Sequence, residues 1–82
     1  MKVEEKLKEI LVNNVYVETP MDEIGRDDSL RDVLGVDSIG FVELKEQIES
    51  SFSVTIEDDE FTPENFRTIA TIEALIARLQ VS

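Results

Sequence analysis

The residues best placed to do chemistry lie in Leu34-Gly35-Val36-Asp37-Ser38-Ile39, between a long loop and an amphipathic stretch that opens at Asp37 or Ser38. A serine at the start of a helix has two readings: it caps the helix, since Ser is among the best N-cap residues, or it offers its hydroxyl for chemistry. Spacing alone does not choose between them. Nothing else in the chain would activate that hydroxyl, because there is no His and no Cys. The commonest general base, the commonest transition-metal ligand and any protein thiol are therefore missing, which excludes a hydrolase triad and a zinc site.

Composition narrows the classes further. The 82 residues suit one small domain, spanning 1–82. They are 41% hydrophobic and 33% charged, a globular balance. One Tyr and four Phe leave the core mainly to Ile, Leu and Val. The net charge of -11 excludes a nucleic-acid or anionic-membrane binder and suits partners with basic surfaces. The charged opening Met1-Lys2-Val3-Glu4-Glu5-Lys6 carries no export signal, and no apolar run is long enough to span a membrane. A cytoplasmic monomer is the expectation.

The elements that must position Ser38 follow from periodicity. Val3, Leu7, Ile10, Leu11 and Val15 form one face of a first helix, about Lys2 to Asn14. Residues 18–37 are a long connection with turn chemistry at Pro20, Gly25 and Asp27-Asp28-Ser29. Leu30, Val33 and Leu34 are expected to pin it to the core. Ser29-Leu30-Arg31-Asp32 could cap a single turn that Gly35 closes. Phe41, Leu44, Ile48 and Phe52 make the core stripe of the second long helix, and Ile39 and Val42 lie off it beside Ser38. Ser53-Val54-Thr55-Ile56 reads as an extended connector with Val54 and Ile56 inward, and Glu57-Asp58-Asp59-Glu60 as a solvated loop. Thr62-Pro63-Glu64 opens a short third helix. Ile72, Leu75, Ile76 and Leu79 line a last helix from about Ala70 to Gln80. The sum is all-α: a four-helix bundle of three longer helices and one short one, with a long first loop.

Over nearly its whole length this pattern resembles the acyl and peptidyl carrier protein superfamily. The resemblance rests on Ser29-Leu30, Leu34-Gly35, Asp37-Ser38-Ile39 and Phe41-Val42-Glu43-Leu44, on the apolar Ile48, Phe52, Val54 and Ile56, and on Thr71-Ile72 at the start of the last helix. It implies a four-helix bundle in which a phosphopantetheinyl transferase joins a 4'-phosphopantetheine arm from coenzyme A to the motif serine, here Ser38. The arm's thiol then carries acyl or aminoacyl groups as thioesters between an adenylating or acyl-transferring loading enzyme and a downstream synthase or transferase. The product at Ser38 would be a phosphodiester anion, which suits a helix N-terminus. Asp37 would cap the helix or help position the transferase's metal.

The second helix is the family's main docking surface. By position Ile39 and Val42 would be its apolar contacts and Glu43 and Glu49 its acidic ones, although each Glu also fits a plain solvated face. Lys45 and Glu46 stand where fatty-acid-synthesis carriers tend to be apolar; the Phe61 and Phe66 pair reads as core residues and also resembles stand-alone aminoacyl and D-alanyl carriers. An unmodified interaction module on the same fold is the competing reading. An EF-hand is disfavoured, because neither acidic run has the alternate spacing and central glycine that calcium loops need.

Overall fold

The computed structural model describes residues 3–81. Its helices are α1 (Val3–Asn13), α2 (Ser38–Phe52) and α3 (Ile69–Val81), with a 3-10 turn at Met21–Glu23 in the long loop. Lys2, where the sequence places the start of the first helix, lies outside the described residues.

Each helix buries one face. Val3, Leu7, Ile10 and Leu11 of α1 meet Leu44 and Ile48 of α2 and Ile69, Ile72, Leu75 and Ile76 of α3 in a single core. Burying an aliphatic side chain of this kind is worth about 1.5–3 kcal/mol. α1 touches both of the other helices. The loops contribute Val17, Ile24, Leu30, Leu34, Val36, Ile56 and Phe66, so the long connection is part of the core rather than a surface strap. Val33 is the exception. The sequence assigned it to the core, but it is 61% exposed. Leu34 N–H reaches back five residues to the Ser29 carbonyl, so the turn is wider than an α-helix and the i, i+3 spacing does not place Val33 on the face of Leu30.

That turn is built as its residues suggest. Asp32 N–H donates to Ser29 Oγ at 3.0 Å. The N–H groups of Val33 and Leu34 both donate to the Ser29 carbonyl, at 2.9 and 3.1 Å. Gly35, at φ +75°, then reverses the chain. The connector after α2 has Ile56 buried and Val54 half-buried.

The acidic run 57–60 is a loop with Glu57, Asp58 and Asp59 exposed, as expected, and it closes a hydrogen-bonded turn. Glu60 N–H donates to the Glu57 carbonyl at 2.9 Å, and Glu57 N–H to Glu60 Oε1 at 3.1 Å. The expected short third helix is a single turn. Thr62 accepts from Asn65 N–H on its hydroxyl at 3.2 Å and from Phe66 N–H on its carbonyl at 3.0 Å. It stops there because Thr68 caps the next helix. Thr68 and Thr71 each accept the other's N–H on a hydroxyl oxygen, at 3.1 and 3.0 Å respectively, a reciprocal box that sets the start of α3.

Candidate functional site at the start of α2

Val36 fixes the approach to α2. It is buried, and its N–H donates to the Leu30 carbonyl at 2.9 Å. The next residue, Asp37, is extended, with φ -99° and ψ -176°, and is the N-cap. Its Oδ1 accepts from Gly40 N–H at 2.8 Å, and its carbonyl accepts the first helical bond from Phe41 N–H at 2.9 Å. Ser38 is therefore the first residue inside the helix. The reading of Ser38 as a cap gives way, because Asp37 performs that role. Ser38 is exposed, and among the described residues its hydroxyl has no hydrogen-bond partner. The N–H groups of Ser38 and Ile39 have no intrahelical acceptor, as at any helix start, and they make this end of α2 electropositive.

Gly40 explains how closely the site is packed from behind. A Cβ there would lie 3.0 Å from Val36 Cγ1, 3.1 Å from Val15 Cγ1 and 3.3 Å from Asp37 Oδ1. Glycine leaves room for Val15, just past the end of α1, and for the loop at Val36 to close against the first turn of α2. The one cue in the sequence is a helix-weakening glycine two residues after Ser38.

Of the four residues expected to form a docking surface, two stand beside Ser38. Ile39 is 81% exposed and Val42 48%, an apolar pair on the open side of the helix. Glu43 is one turn along and accepts from Gln47 Nε2 at 2.7 Å. Glu49 lies about 10 Å further down the axis than Val42, and its carboxylate is engaged within the fold. It accepts from Ile56 N–H at 2.8 Å and from Lys45 Nζ at 3.5 Å, so it holds the connector to α2.

Ser38 opens into a groove of about 690 Å³. Phe41 and Val42 of α2 form one wall, and Phe61, Pro63 and Phe66 the other. The two Phe rings meet edge to face with centroids 4.9 Å apart. Arg31 and Arg67 also line it. Periodicity singles out neither arginine: Arg31 lies in the turn seven residues before Ser38, and Arg67 in a loop 29 residues after it.

An exposed hydroxyl on an electropositive helix end, above an apolar groove, is a place to attach and lay down an anionic arm. Residues 5–79 match the family model for the phosphopantetheine attachment site. The chain is 40% identical over 73 residues to an acyl carrier protein of Petrotoga mobilis, covering 89% of this chain and 81% of that one. It is 32% identical over 78 residues to an acyl carrier protein of Akkermansia muciniphila, covering 95% and 92%. Among solved structures it matches the complex of an engineered Bradyrhizobium japonicum glycine:[carrier protein] ligase with a carrier protein from Agrobacterium tumefaciens. The TM-score is 0.84 at 26% identity, over 93% of this chain and 97% of the matched chain. The chain belongs to the acyl carrier protein family, whose members bear 4'-phosphopantetheine and carry acyl or aminoacyl groups rather than catalyse reactions.

Proposed function

We propose that the arm is attached at Ser38 Oγ, and that the chain hands its cargo between enzymes docked on the start of α2. The observation that carries this reading is the Asp37 cap, which leaves the Ser38 hydroxyl exposed and unpartnered at the first helical position. The residues fit the group. The free N–H groups of Ser38 and Ile39 suit a phosphodiester, and the groove has apolar walls for the arm. When bound, the arm supplies a terminal thiol that this cysteine-free chain lacks.

The protein's own residues do the rest. Asp37 holds the helix end open, and its second carboxylate oxygen is left available to a transferase's metal. Ile39 and Val42 form the apolar contact for partner enzymes, with Glu43 at its acidic edge. Glu49 serves the fold first and reaches partners only at the far rim.

The partners are a phosphopantetheinyl transferase, a separate loading enzyme and a receiving synthase or transferase. The likeness to the carrier bound by a glycine ligase and the Phe61–Phe66 pair favour an aminoacyl-type loading enzyme. The whole of 1–82 acts as one carrier domain, monomeric and cytoplasmic. No described helix is long and apolar enough to cross a membrane.

Peptide mapping tests the attachment point. Cleavage after Arg31 and Lys45 releases residues 32–45, whose one hydroxyl side chain is Ser38. The added mass is expected on that peptide, and mass on any other peptide would refute the assignment.

A further inference from the structure

Acidic residues outnumber basic ones in this chain by 19 to 8, so a cation without a carboxylate partner is unexpected. Lys6, Lys8, Arg26 and Lys45 are each in ion-pair contact with a glutamate. Arg78 donates to Asn65 Oδ1. Among the described residues, Arg31 and Arg67 are the basic side chains left without an ionic or hydrogen-bond partner, and both line the groove into which Ser38 opens.

Their placement is built into the backbone. Arg31 sits in the Ser29-capped turn. Arg67 immediately precedes Thr68, the cap of α3, where the positive end of the helix dipole disfavours a cation. Leu30 N–H donates to the Arg67 carbonyl at 2.9 Å, tying the two segments together. The acidic groups on the same groove are Asp32 and Asp37, and one oxygen of Asp37 is already held by Gly40.

We propose that Arg31 and Arg67 clamp the phosphodiester that joins the arm to Ser38, so that the arm lies along the groove against Phe41, Val42 and the Phe61–Phe66 pair instead of extending into solvent. Guanidinium groups match phosphate oxygens through paired N–H donors. The tether raises the local concentration of the phosphate, so individually weak contacts suffice. This rests on attachment at Ser38.

The test compares amide NMR shifts of the unmodified and modified protein, with loading carried to completion as read by intact mass. In the parent, the arm should shift amides at 31 and 61–67 as well as at 37–40. In Arg31→Gln/Arg67→Gln the arm-induced shifts at 61–67 should disappear while those at 37–40 remain. In the parent, about 1 M salt should reduce them in the same way, because the Debye length there is only about 3 Å. Shifts confined to 37–40 in the parent, or groove shifts that survive the double substitution, overturn the clamp. If the variant's own spectrum shows a disturbed fold, the salt titration of the parent decides alone. A parent that gains no mass at all refutes attachment at Ser38 and the clamp with it, whereas a parent modified at Ser38 with a solvent-borne arm refutes only the clamp.

Discussion

Asp37 Oδ1 accepts the Gly40 N–H at 2.8 Å, and this one bond decides that Ser38 is the first residue of α2 rather than its cap. The hydroxyl is thereby freed from a structural duty and presented at the helix's electropositive end. Replacing Asp37 by Ala should cost about 1 kcal/mol of stability through the lost cap, while Asn, an equally good cap, should cost only a few tenths. Chemical denaturation of both variants checks this. The Asn variant also separates capping from charge: it should melt like the parent yet accept the arm more slowly, because a neutral side chain cannot help hold a transferase's metal.

Gly40→Ala tests the close approach behind the site. Alanine favours a helix by about 1 kcal/mol over glycine, so an uncrowded position would be stabilised. The added methyl instead meets Val36, Val15 and the Asp37 carboxylate at 3.0–3.3 Å, and overpacking of this kind costs about 1–3 kcal/mol. The net expectation is a lower melting temperature, by scanning calorimetry or circular dichroism. A higher one would show that α1 and the loop are not pressed against α2.

The inner and outer faces of α2 should separate stability from exchange with partners. Leu44 has no exposed surface, so Leu44→Ala should cost about 2–5 kcal/mol, a large part of the stability of so small a domain. Val42 is 48% exposed. Val42→Ala should change stability by no more than about 0.5 kcal/mol while weakening loading by the partner enzyme. Denaturant midpoints and a loading assay on both variants check the pair.

Acid should weaken the link between α1 and the rest through Glu4. Lys8 Nζ lies 3.1 Å from its Oε2 and Arg26 Nη1 3.1 Å from its Oε1. The hydrogen bond from Lys8 is the largest influence holding the Glu4 carboxyl below its usual range; desolvation opposes it and Arg26 adds to it. Arg26 Nη1 also stands 3.0 Å from Glu73 Oε1 of α3, an ion pair that ties the loop to that helix. A carboxyl depressed in the folded state lends stability above its unfolded pKa and loses it as pH falls through the folded one. The stability difference between the parent and Glu4→Gln should therefore be full at neutral pH and narrow below about pH 4. Denaturant midpoints at the two pH values measure it, and a gap that widens in acid would contradict the account.

The sequence carried the fold where periodicity is strong. The stripes at Leu7, Ile10 and Leu11, at Leu44 and Ile48, and at Ile72, Leu75 and Ile76 are all buried, because a 3.6-residue period leaves one face to pack. It was weaker where a single turn decides the outcome. Val33 carries the same apolar signature as Leu30 and Leu34 yet points outward, and Thr62–Phe66 has a helix's opening residues but room for one turn only before Thr68 caps α3. At the site, Asp37 and Ser38 stood out through the resemblance to the carrier-protein motif, while spacing alone left Ser38 between cap and reactive hydroxyl. Arg31 and Arg67 did not stand out, because the Leu30–Arg67 backbone bond that brings their segments together joins residues far apart in sequence. Glu49 reads in the sequence as an acidic docking contact or a solvated glutamate, and only the bond from Ile56 N–H shows it holding the connector.

The most direct test of the central claim is intact mass after incubation with a broad-specificity phosphopantetheinyl transferase, magnesium and coenzyme A, with Ser38→Ala alongside. The parent should gain one phosphopantetheine and the variant none. A folded, previously unmodified parent that gains nothing, or a variant that gains as much as the parent, would contradict the claim.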